Sequence, residues 1–228
     1  MFFSRLVQLI PMAGLLALGS LTVSADMISA GQCVGGLCTG TLDIFSNTPG
    51  TLLDSNSTSF TAYDNRGDAL YSGTLRAAVY RNASNTLDFY YQFVNNWYSE
   101  DSVGRLTMTN FAGFTTDVGY RSDNWDGGGI FRAGTQGPVG TDRSASGGTV
   151  GFTFGSGWGQ INPGETSSTM VIRTNAVNYT LGSVTTQNGA VYTASAFSPD
   201  GGAGVPEPST YAMIGAGLAA VGMLRRRK

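Results

Sequence analysis

Short apolar runs of strand length recur along residues 40–197, and none of the intervening stretches carries the three-to-four-residue apolar period of an amphipathic helix. The runs predict strands over residues 40–45, 59–63, 70–81, 87–95, 103–111 and 115–120, and again over 149–154, 167–174, 179–184 and 191–197. Within 70–81 the positions alternate and put Leu75, Ala77 and Val79 on one face. Residues 87–95 (LDFYYQFVN) are the densest in aromatic and β-favouring side chains. Turn signals separate the runs at Pro49-Gly50, at Asp64-Asn65-Arg66-Gly67-Asp68, over residues 82–85 and at Asn162-Pro163-Gly164-Glu165. Between residues 121 and 148 the periodicity lapses into a long Gly-rich loop, with a brief strand-like piece at 129–132. This pattern predicts an all-β chain, an antiparallel β-sandwich of jelly-roll-like type with roughly ten strands.

The two ends follow a different pattern. Arg5 precedes an apolar stretch over residues 6–21, broken by Gln8 and Pro11 and closed by the small residues Thr22, Val23, Ser24 and Ala25. This is the order of a secretory signal peptide, a signal helix cleaved after Ala25; the alternative is an uncleaved anchor. At the other end Pro206-Glu207-Pro208 forms a stiff extended turn. An apolar run over residues 209–224 follows, then Arg225, Arg226, Arg227 and Lys228. The run predicts a transmembrane helix at the short end of the spanning range. The basic residues favour the cytoplasmic side, which places the region between the two ends beyond the inner membrane. The chain therefore divides into a signal peptide (1–25), a β-sandwich domain (26–197), a Gly/Pro linker (198–204) and a tail (205–228).

Composition sharpens the picture of the body. Residues 26–205 hold eight arginines and no lysine against fourteen carboxylates, a net charge of −6. An acidic surface of this kind argues against nucleic acid and against anionic membrane surfaces as partners. Cys33 and Cys38, in CVGGLC, predict one small-loop disulfide in an oxidising compartment; the alternative is a pair of free thiols.

The tail resembles the PEP-CTERM sorting tail of Gram-negative bacteria, on the Pro-Glu-Pro triplet, the apolar run and the terminal basic cluster. A plain C-terminal anchor would share the last two features only. The resemblance implies recognition by exosortase, a membrane-embedded cysteine transpeptidase, with transient insertion in the inner membrane and cleavage near Pro206-Glu207-Pro208. The body would then be extracellular or on the outer cell surface, membrane-anchored beforehand. Such tails accompany exopolysaccharide and biofilm production, which makes exopolysaccharide a candidate partner. Residues 91–96 and 162–182 also look like PEP-CTERM bodies, but carry no activity across to named residues.

The chain contains no histidine, which removes Ser-His-Asp and Cys-His mechanisms and imidazole-ligated zinc. Glu100 and Glu165, the glutamates of the body, are the candidates for a paired-carboxylate glycosidase. Trp97 with Tyr98, Trp125 and Trp158 are candidates for stacking on sugar faces, Trp125 foremost because it lies among polar and Gly residues; the alternative is that they fill or edge the core. Asp64, Asn65 and Asp68, and Asp123, Asn124 and Asp126, are oxygen-rich clusters that match no calcium loop and suit Asx turns equally well. No metal site and no cofactor is expected. The expectation is a secreted, non-catalytic protein of the matrix or cell surface, with a carbohydrate-binding module and a polysaccharide-acting glycosidase as its rivals.

Overall fold

A computed structural model describes residues 26–36 and 38–201. The signal segment with Ala25, the sorting tail with Pro206, Glu207, Pro208, Arg225, Arg226, Arg227 and Lys228, and the Trp158 side chain lie outside the described residues. Among the described residues the fold is all-β, with one 3-10 turn at Gly157–Gly159 and no helix long and apolar enough to cross a membrane.

Thirteen strands are present among the described residues. They are β1 (Asp26–Met27), β2 (Cys33–Gly35), β3 (Asp43–Ile44), β4 (Thr51–Tyr63), β5 (Ala69–Arg81), β6 (Leu87–Asn95), β7 (Arg105–Met108), β8 (Thr116–Arg121), β9 (Gly140–Arg143), β10 (Val150–Thr153), β11 (Thr169–Thr174), β12 (Tyr179–Asn188) and β13 (Ala190–Pro199). One sheet runs β1-β8-β11-β6-β5-β4, with β3 added to β8 in parallel; the other runs β13-β12-β7-β10-β9-β2. All pairs other than β3–β8 are antiparallel, so the architecture is β-sandwich-like with one mixed sheet.

The main core lies between the sheets. Phe89, Tyr91 and Phe93 of β6 meet Leu106 and Met108 of β7 and Phe152 of β10 there. Two tyrosines cross this core and end on the opposite backbone. The Tyr71 hydroxyl lies 3.1 Å from the carbonyls of both Thr186 and Ala190 and shares its single proton between them, and the Tyr91 hydroxyl donates to that of Phe197 at 2.5 Å. One side of the sandwich closes where β4 meets β13. The rings of Phe60 and Tyr192 stack there at 3.9 Å between centroids, and the Asn56 amide donates to the Ser195 carbonyl at 3.3 Å. On the other side the buried Arg143 of β9 donates to the carbonyls of Ile28, Phe111, Phe114 and Gly147 at 2.8–3.1 Å. A guanidinium has five fixed N–H donors, and here four carbonyls from three segments receive four bonds from them.

Every residue of β6 is buried, so both faces of the first sheet are covered. Antiparallel sheets commonly leave one face to water. The cover here comes from the Gly-rich stretch expected as a long loop. Part of it does form a strand, β9, which pairs with β10 and β2. The stretch before β9 carries Phe131, Trp125 and Ile130 onto Tyr80, Tyr90 and Val171 as a second apolar cluster. Three consecutive glycines, Gly127, Gly128 and Gly129, take φ of +62°, +74° and +93°, a run of left-handed backbone that side chains rarely adopt. Gln92 holds the cover down. Its amide donates to the Arg132 carbonyl at 2.7 Å and its carbonyl accepts the Arg132 N–H at 2.8 Å, so one buried side chain imitates a step of a strand ladder. Arg76 adds a bond to the Ile130 carbonyl at 2.7 Å.

Replacing Gln92 with Ala is expected to leave both Arg132 backbone groups unpaired and to cost about 2–4 kcal/mol. Chemical denaturation reads the loss, and amide exchange should rise first over residues 122–135; unchanged exchange there would show that the cover does not hang on Gln92. A second expectation concerns alkali. Burial pushes the Tyr80 phenol up to about 12 and raises those of Tyr90 and Tyr91 further, while an unfolded tyrosine titrates near 10. Raised folded values mean that the unfolded chain loses its phenolic protons first. Stability is therefore intact below about pH 10 and falls as pH rises from 10 through 12. Thermal melts across that window, read with tyrosinate absorbance, check the slope.

Candidate functional site

An open cleft lies at the β10-β9-β2 end of the second sheet. It measures about 630 Å³. Its floor is bare because Gly35, Gly104, Gly140 and Gly155 bring no side chains. Close strand approach requires this: a Cβ on Gly35 would lie 2.5 Å from the Val139 carbonyl oxygen. Val139 and Phe154 supply apolar contact, the Cys33–Cys38 disulfide lies on the lining, and Gly155, Ser156 and Gln160 border it. Asp142 is the charged residue on the lining. Its carboxylate pairs with Arg105 at 2.6 Å, and Arg105 also donates to the Thr153 hydroxyl at 2.7 Å. Both ionic side chains are partly open to solvent, so the pair anchors the cleft wall weakly while keeping polar edges available to a ligand. A concave, mostly apolar surface with a few fixed polar groups is the usual form of a small-molecule site.

The structure scatters the sequence candidates. Trp97 is 81% exposed and stands edge-on to Tyr98 at 5.6 Å, beyond the end of β6. Trp125 belongs to the second apolar cluster, 5.5 Å from Tyr90 and 5.6 Å from Phe131, with the Arg121 guanidinium 4.6 Å above its ring. Its position makes it a cover residue, whereas Trp97 is the open ring. Glu100 is exposed. Glu165 closes its own turn: one carboxylate oxygen accepts the Asn162 N–H at 2.9 Å and the other accepts the Gln136 amide at 2.9 Å.

The Asx clusters likewise have local partners. Asp64 accepts the N–H groups of Arg66 and Asp68 at 2.8 and 2.9 Å, Asp123 pairs with Arg121, and Asp126 accepts the Gly128 N–H at 3.0 Å. Among the described residues no three Asp, Glu, His or Cys side chains converge on one point. The cleft residue Asp142, with its partner Arg105, carried no signal in the sequence, because the strand that brings Asp142 to the site, Gly-Thr-Asp-Arg, has no apolar alternation.

Residues 204–228 match the family model of the PEP-CTERM protein-sorting motif. No curated protein and no solved structure matches the chain. PEP-CTERM motifs are exosortase substrates, and the motif marks the protein as exported, held in the membrane before processing and at the cell surface afterwards. A PEP-CTERM carrier folds outside the reducing cytoplasm, and the body agrees: Cys33 and Cys38 are joined, with Cα atoms 5.9 Å apart. The bond closes the turn that leads out of β2, where the Cys38 N–H donates to the Gly35 carbonyl at 2.9 Å. β2 pairs with β9 through three residues, so the crosslink is its main local support. Replacing both cysteines with serine is expected to cost about 2 kcal/mol, the chain-entropy value for so short a loop. Denaturant midpoints measure it, and β2 amides should lose exchange protection before those of β10.

Proposed function

We propose that this chain is a non-catalytic β-protein, processed by exosortase and associated with the exopolysaccharide matrix at or beyond the cell surface. The observation that carries the reading is the PEP-CTERM motif at residues 204–228. The chain's own chemistry supports it. There is no histidine, Glu165 spends its carboxylate on its turn, and Glu100 stands in solvent. An acidic, charge-poor body suits a hydrated matrix of neutral polymers better than a nucleic acid or an anionic bilayer. A carbohydrate-binding role is the second reading, favoured by the open Trp97 ring, since a flat apolar face complements the C–H face of a sugar.

The test is the intact mass and location of the protein in its host, with and without exosortase. The expected outcome is a body of about residues 26–205, free of both end segments and recovered with the extracellular polysaccharide, in the strain that has the enzyme. A full-length chain in the membrane fraction of both strains would overturn processing. A processed body that washes free of the polysaccharide would overturn the matrix association alone.

A further inference from the structure

A second cleft, polar where the first is apolar, holds a buried acid facing a base. It measures about 450 Å³ and is lined by residues 47–50, the turn after β5, Asp88 of β6 and Arg173 of β11. Asp88 and Arg173 face each other across the β6–β11 ladder. The Asp88 residue is 3% exposed, yet its carboxylate stands 3.9 Å from the Arg173 Nε, beyond hydrogen-bond length. That Nε is buried and has no hydrogen-bond partner. The Arg173 guanidinium lies 3.8 Å above the Phe45 ring and reaches the Asn47 side-chain carbonyl. Asn82 donates its amide to Asp88 at 2.8 Å. Asn82 is itself fixed, because its carbonyl accepts the N–H groups of Ser84 and Thr86.

This is a built polar site rather than a surface ion pair. A buried carboxylate and a half-buried guanidinium whose buried Nε has no partner do not bond each other directly, so both have hydrogen-bonding capacity to spare. Burial raises the Asp88 carboxyl above the ordinary carboxylate range, against the opposing pull of Asn82 and Arg173, which is the mark of a charge that would gain from another donor. Fixed opposite charges side by side select against ions: a cation drawn to Asp88 meets Arg173, and an anion drawn to Arg173 meets Asp88. What fits is a neutral group that places a donor next to an acceptor. Two adjacent hydroxyls do this, since each can donate or accept as required. One hydroxyl donates to Asp88 while its neighbour accepts from Arg173.

We propose that the Asp88–Arg173 cleft binds a neutral saccharide unit through a vicinal hydroxyl pair. The proposal rests on the matrix reading for its biological setting and names the part of the molecule that would touch the polymer. Neither Trp97 nor Trp125 belongs to this cleft, so the site is separate from the sugar-stacking candidates.

The experiment is saturation-transfer NMR on the full chain in a detergent without a sugar headgroup, probed with methyl glucoside, methyl galactoside and methyl mannoside. Transfer to the ring protons of at least one hexoside is expected. It should fall at least fivefold in Asp88→Asn, which keeps the shape and the Asn82 bond, and remain within twofold of wild type in Trp97→Ala. Asn47→Ala, which removes the carbonyl that holds the Arg173 guanidinium and leaves Asp88 and Asn82 in place, is a second cleft variant and should also weaken transfer. No transfer in the wild type, or equal transfer in the wild type and the cleft variants, overturns the site. Recovery with the extracellular polysaccharide is read on the same variants. An Asp88→Asn protein that loses transfer but stays with the polysaccharide sinks this cleft as the matrix contact and leaves matrix association standing. A wild type that shows transfer but washes free of the polysaccharide does the reverse.

Discussion

The first sheet has to bury two faces, and most of the unusual features of this body follow from that demand. Its central strand β6 has no side chain in water. The inner face meets the second sheet, as any sandwich face does. The outer face has no third sheet to meet, so residues 121–139 cross over it and supply Trp125, Ile130 and Phe131. Irregular chain laid on a sheet brings backbone polar groups into an apolar place, and those groups need partners. Gln92 and Arg76, rooted in the sheet, provide them. Three left-handed glycines let the covering chain turn tightly enough to stay close. The cover is incomplete in one respect: the Tyr80 and Tyr90 hydroxyls beneath it are buried and have no hydrogen-bond partner. Each unpaired hydroxyl costs on the order of 1–3 kcal/mol, which the aromatic packing around it must exceed.

The strands written in apolar side chains were legible and those written in backbone pairing were not. Residues 87–95 form β6 as expected, and the 70–81 run becomes β5 with one added residue. Their side chains decide their fate, since both faces must be filled. β4 begins at Thr51, eight residues before its expected start, because its first half is an edge with Asp54, Ser55 and Ser57 open to solvent. β12 continues four residues past Val184, through Thr185, Thr186, Gln187 and Asn188, where polar residues alternate as apolar ones would. Thr186 points inward and still reads as polar, because its hydroxyl meets that of Tyr71 at 3.0 Å. β1, β2 and β9 are two to four residues long and contain almost no apolar pattern; they exist because neighbouring edges offer them hydrogen bonds.

The sites divide along the same line. Covalent and sorting features are local in sequence and could be read there: Cys33 with Cys38, and the ordered tail of residues 204–228. Clefts are not local. Asp88 and Arg173 are joined by a ladder, and Asp142 reaches Arg105 only because β10 lies between their strands. Trp125 was singled out for its polar neighbours, yet those neighbours belong to a segment folded down onto the sheet, so a polar setting in sequence became an apolar one in space.

One end of the sandwich has a particular orientation to its surroundings. The Asp200 N–H donates to the Asn178 carbonyl, so ordered pairing continues to within four residues of the sorting motif at 204. A chain extends at most about 3.5 Å per residue, which leaves a tether on the order of 20 Å between the last paired residue and the Pro-Glu-Pro triplet. The same end carries Val177, whose carbonyl accepts from Arg81, and Ala176, whose carbonyl accepts the Leu87 N–H, next to the Asp88–Arg173 cleft. While the tail anchors the chain, that end of the protein can stand no farther than about this tether from the triplet. Removal of the tail would therefore do more than free the protein: it would lift the limit on how far that end can stand from its anchor.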